Sequence, residues 1–101
     1  MIRHIVMFRY RESARGDQID QLSDAFHKLK TKIPGIVAIE HGTNNSPEEK
    51  NLGFTHVFQL TFPDRAARDA YLPHPEHVNF GELLDKLDIV ADAMVFDYQA
   101  K

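Results

Sequence analysis

Of the 101 residues none is cysteine and none is tryptophan, and glycine and proline supply only five each. Without cysteine the chain can form no disulfide, no thiolate nucleophile and no thiolate metal site. No apolar run approaches the length that crosses a bilayer, and the opening one is too short for a secretion signal. Positive charge is not in excess either. Twelve Lys and Arg against fifteen Asp and Glu leave a net charge of −3, whereas phosphate neutralisation needs a basic surface. The cluster Lys28, Lys30 and Lys32 falls at the end of a helical pattern, where cations complement the dipole. What is present, 43% apolar and 27% charged residues, suits an ordinary globular chain of one domain with its core between about residues 2 and 98. The expectation is a cytoplasmic protein with no nucleic-acid or membrane partner, no cofactor and no bound metal.

Residues Ile2 to Tyr10 are rich in β-branched and aromatic side chains and predict a strand. Asp17 is the expected cap of a helix whose apolar positions Ile19, Leu22, Phe26, Leu29 and Ile33 follow the helical period. Pro34-Gly35 stops it. Ile36 to Gly42 predicts a second strand, Thr43 to Gly53 a polar loop, and Phe54 to Phe62 a third strand with Phe54, Phe58, Leu60 and Phe62 on one face. Asp64 caps a short helix through Leu72. Pro73-His74-Pro75 then breaks the chain, with His74 in the cap region and Pro75 suited to the first turn of another helix. That helix carries the inward stripe Phe80, Leu83, Leu84 and Leu87, and Ala91 to Tyr98 closes as the last strand.

The order β-α-β-β-α(α)-β is the split-βαβ pattern of a ferredoxin-like α+β fold with a four-stranded antiparallel sheet. Helices in so short a chain cover one sheet face only. The other, with Ile5, Met7 and Val57, would lie open, and such a patch marks an interface. Two sheets packed face to face about a two-fold axis bury it, so a homodimer is expected.

Alternation also aims polar groups inward. His56 shares a face with Phe58, Leu60 and Phe62, and His4 shares one with Ile2, Val6 and Phe8. His77 falls on the buried stripe of its helix, three residues before Phe80, and Tyr71 follows the inward Ala67 by four. A single inward histidine is most often a satisfied core residue. Three histidines and a tyrosine aimed into one interior instead predict a pocket for a small molecule. At His77 the positive end of the helix dipole disfavours the charged ring, so the position suits proton abstraction. The Tyr71 hydroxyl could then stabilise a developing enolate, with His4 and His56 orienting the pair. His74-x-x-His77 has a metal-like spacing, but Pro75 intervenes, the rings should diverge, and no carboxylate is obviously placed in support. His27 and His41 read as surface positions with no role.

The segments Ile2-Arg3-His4-Ile5-Val6, Gly53-Phe54-Thr55-His56 and Tyr71-Leu72-Pro73-His74-Pro75-Glu76-His77 resemble the stress-responsive A/B barrel domain (Dabb) family. Ser46-Pro47-Glu48 and Val95-Phe96-Asp97-Tyr98 fit it too, and the likeness runs from end to end. It implies a ferredoxin-like protomer in a dimeric α/β barrel. The family includes plant stress-induced proteins and a polyketide cyclase acting on a linear poly-β-keto thioester. The cyclase's pocket residues fall on His4, His56, Tyr71 and His77, with His77 matching its base and Tyr71 its partner. The first helix departs from the cyclase at Phe26 and His27, which puts the same substrate in doubt. The resemblance thus implies a small hydrophobic, keto or phenolic ligand, with cofactor-independent aldol or cyclase-type chemistry. The alternatives are a non-catalytic stress-associated dimer and a cofactor-free monooxygenase, the latter a poorer match for a chain without tryptophan.

Overall fold

Strict alternation along the first strand sets the architecture. In β1 (Ile2–Tyr10) the side chains of Ile2, His4, Val6 and Phe8 are buried while Arg3, Ile5 and Met7 are half-buried on the opposite face. The computed structural model describes residues 1–101. After β1 come α1 (Gly16–Lys32), β2 (Ala38–Thr43), β3 (His56–Phe62), α2 (Arg65–Tyr71), α3 (Pro75–Leu87) and β4 (Val90–Gln99). The sheet is antiparallel in the order β2-β3-β1-β4, which makes this the ferredoxin-like α+β fold expected.

The helices lie on one face. Leu22, Phe26 and Leu29 of α1, Phe80 of α3 and Tyr71 of α2 meet Phe8, Phe58, Leu60 and Phe62 of the sheet in one core. At its centre Phe26 stacks on Phe58 with ring centroids 4.4 Å apart, and Phe80 meets Phe26 edge-on at 4.6 Å. Helix α2 begins as the sequence predicts, the Asp64 carboxylate accepting from the backbone N–H of Ala67 at 2.9 Å. At α3, Pro75 occupies the first turn and the His74 ring accepts from the N–H of Glu76 at 3.1 Å. This places His74 at the cap.

Three boundaries differ from expectation by two residues. The cap of α1 is Arg15 rather than Asp17. Gln18 Oε1 accepts from the Arg15 N–H at 3.0 Å, and Asp17 sits inside the first turn, taking the Arg15 guanidinium. Strand β2 starts two residues late because Pro34 and Gly35, the latter at φ +94°, carry the chain away from the helix first. Strand β3 starts at His56, since Phe54 closes a turn with its N–H on the Asn51 carbonyl.

The uncovered sheet face is apolar at its centre. Ile5 and Met7 of β1 stand beside Phe96 and Met94 of β4, with Val57 of β3 next to Met7. Phe96 is 61% exposed. Polar pairs border this patch: Arg3 with Thr61, Arg9 with Asp92, and Gln59 with Glu40.

Candidate active site

The break between α2 and α3 brings three of the four expected residues together. His4 and Tyr71 are 4% and 1% exposed, and their rings meet edge-on at 5.8 Å. His77 also meets Tyr71, ring centroids 4.3 Å apart, and Phe62 closes the group 5.2 Å from Tyr71. Each element has a simple reason for its place. The β1 alternation turns His4 inward, α2 ends on Tyr71, and Pro75 starts α3 so that His77 falls in its first turn.

Hydrogen bonds fix both histidine tautomers. His77 Nδ1 is 2.8 Å from the Leu72 carbonyl oxygen, which can only accept, so the proton sits on Nδ1 and Nε2 of the neutral ring keeps its lone pair. His4 Nδ1 donates likewise to Asp97 Oδ1 at 2.7 Å. The second oxygen of Asp97 takes Arg68 Nη1 at 2.7 Å, and Arg68 Nε reaches Asp69 at 2.7 Å. A chain Arg68–Asp97–His4 therefore holds the ring beside Tyr71. Burial pushes the His4 pKa down, outweighing the opposing pull of Asp97. The result is a neutral imidazole donating to a carboxylate. Burial alone pushes the Tyr71 phenol well up, so it is a hydrogen-bond donor and not a phenolate.

Asp97 and Arg68 were not foreseen as support. Asp97 enters the site through strand register, standing opposite His4 across β1 and β4. The one available signal was alternation in β4, which sets Asp97 on the face opposite Phe96 and Tyr98.

His56 does not join the group. It faces the helices as alternation requires, but β3 pairs it with Phe8, while His4 pairs with Leu60. Four residues of strand, about 13 Å, separate the two histidines. His56 instead meets Tyr10 edge-on at 4.8 Å, and its Nδ1 lies 2.7 Å from the Thr55 hydroxyl. Burial first, then His41, lowers its pKa. The Tyr10 hydroxyl beside it is buried without a partner, and burial pushes its pKa up to about 12. His27 and His41, expected to be unrelated surface residues, are in contact: His27 Nε2 and His41 Nδ1 lie 2.5 Å apart.

Two clefts of about 410 Å³ each border His56, one over the open sheet face with Met7 and Met94, the other beside α1 with Asp20 and His41. The five principal clefts are not lined by His4, Tyr71 or His77. The three rings pack closely, and Asp97 and Arg68 line a smaller cleft of about 180 Å³ at the group's outer edge. No helix is long and apolar enough to cross a membrane.

Comparison with known proteins agrees with the fold. Residues 2–100 match the profile of the stress responsive A/B barrel domain. The stress-response A/B barrel domain-containing protein HS1 of Arabidopsis thaliana is 29% identical over 99 residues, covering 97% of this chain and 88% of that one. Olivetolic acid cyclase of Cannabis sativa is 24% identical over 101 residues, covering 96% and 94%. Among solved structures, the hydroxynitrile lyase of Passiflora edulis superposes with a TM-score of 0.89 at 26% identity, over 99% of this chain and 93% of that one. A dimeric ferredoxin-like protein from Jannaschia sp. CCS1 superposes at 0.81 with 30% identity and 98% coverage of each. With the profile matched along nearly its whole length, the chain belongs to the stress responsive A/B barrel domain family, Dabb.

Proposed function

We propose that the protein binds a small hydrophobic carbonyl or phenolic metabolite at His4, Tyr71 and His77 and moves a proton on it without a cofactor. The carrying observation is the pair of Nδ1-protonated imidazoles whose rings both contact one buried phenol. Nε2 of His77 is the base that takes a proton from the carbon next to a carbonyl. The Tyr71 hydroxyl donates to the oxygen on which charge develops. His4, held by Asp97, offers a second polar contact, while His56 serves the opposite end of the interior. Olivetolic acid cyclase and hydroxynitrile lyase as relatives support small-molecule chemistry of this kind. Since the rings are closely packed, ligand entry requires the Leu72-Pro73-His74 break to yield, and Leu72 is already exposed.

A second reading, a stable non-catalytic stress-associated assembly, draws on that same close packing. In both readings the functional unit is a homodimer joined through the open sheet faces. The exposed Phe96 and Met94 and the dimeric neighbour support this.

A thermal-shift series with propiophenone and orcinol separates the readings. Under the catalytic reading one of these probes raises the Tm of the wild type and raises it less in His77→Ala and Tyr71→Phe. Equal stabilisation of all three proteins, or none of the wild type, rejects the site.

A further inference from the structure

Between edge strand β2 and α1, two imidazoles from different elements point nitrogens at each other. His27 follows Phe26 on α1, and His41 stands on edge strand β2 opposite Phe58. Phe58 is fully buried and fixes both: Phe26 stacks on it at 4.4 Å, and the His41 ring stacks at 5.2 Å and 22°. The facing atoms are His27 Nε2 and His41 Nδ1, with the rings 66° apart. Asp24, three residues before His27 on α1, acts electrostatically on that ring. It also lines, with His41, the cleft of about 410 Å³ that opens beside the pair.

We propose that His27 and His41 chelate a borderline divalent transition ion such as Zn²⁺, clipping edge strand β2 to α1. The donor chemistry suits it: two imidazoles facing each other beside a cleft with room for water. Three ligating groups do not already meet at one point. The protein therefore supplies two ligands, with water completing the shell. Zinc–nitrogen bonds of about 2.0–2.1 Å at a tetrahedral angle place the two nitrogens about 3.3 Å apart. From 2.5 Å the rings need to part by under about 1 Å, which exposed His41 allows. A tautomer change supplies both lone pairs, the protons moving to His27 Nδ1 and His41 Nε2, and no net proton is released from neutral rings. An ordinary hydrogen bond with one shared proton is the competing explanation of the contact.

The test is calorimetric titration of untagged protein with ZnCl₂ at pH 7.5 in a non-coordinating buffer. One Zn²⁺ per chain at micromolar affinity is expected. His27→Gln and His41→Gln should each weaken it about tenfold or more, and His74→Gln should leave it unchanged. Far-UV circular dichroism checks that each variant folds. Imidazole ¹⁵N spectra of the wild type need no variant, and Zn²⁺ should shift His27 Nε2 and His41 Nδ1 first. Absence of binding up to about 1 mM, an affinity lost with His74→Gln but kept in His27→Gln, or shifts confined to other histidines overturns the proposal.

Discussion

Replacing Asp97 with alanine removes the anchor of a buried ring. His4 is 4% exposed and its Nδ1–H donates only to Asp97. Alanine leaves that donor unpaired in the core, at a cost of about 1–3 kcal/mol. Arg68, more open to water, re-solvates. For a domain of this size the loss corresponds to a fall in Tm of about 5–15 °C. Equilibrium urea unfolding at one fixed protein concentration, which holds any contribution from self-association constant, reads the change directly. A double-mutant cycle with His4→Phe sharpens it. Once the ring has no donor, losing the carboxylate should cost less, so the two changes should be non-additive by more than about 0.5 kcal/mol. An Asp97→Ala protein with the wild-type midpoint, or strict additivity in the cycle, would refute the bridging role.

The pH dependence follows from the histidines. His4, His27 and His56 all have pKa values lowered from 6.5, burial being the largest cause in each. Below that value the unfolded chain takes up protons that the folded one refuses, so stability is full above it and falls with falling pH, by at most about 1.4 kcal/mol per pH unit for each proton. Urea midpoints should be lower at pH 5.5 than at pH 7.5, and an equal or higher midpoint at pH 5.5 contradicts the assignment. Phe96→Lys sets a charge in the middle of the open face. Light scattering should give twice the 11.6 kDa chain mass for wild type and the single mass for the variant, and a variant that stays dimeric places the interface elsewhere.

The sequence reveals most of the fold because its punctuation is strong and local. Asp64 before an alanine-rich turn, Pro75 at a first helical turn and the alternation of Ile2 to Phe8 each act within a few residues. The Arg15 cap was hidden because arginine is no usual cap and Asp17 offered the more familiar one. The site is only half legible for a related reason. Periodicity states which face a residue takes and not where along the sheet it lies. His4 and His56 share a face, yet the β1–β3 register puts them about 13 Å apart. Asp97 is 93 residues from His4 and reaches it only because β4 returns alongside β1. His27 and His41 are drawn together in the same way, by the packing of α1 and β2 on Phe58.

Transfer of solvent deuterium into the α-position of propiophenone, followed by NMR, tests most directly whether His77 and Tyr71 move a proton. The wild type should accelerate exchange over buffer, and His77→Ala should lose about 10²-fold or more of that acceleration. Wild-type exchange at the buffer rate, or a His77→Ala protein as fast as wild type, would contradict the acid–base reading of the site.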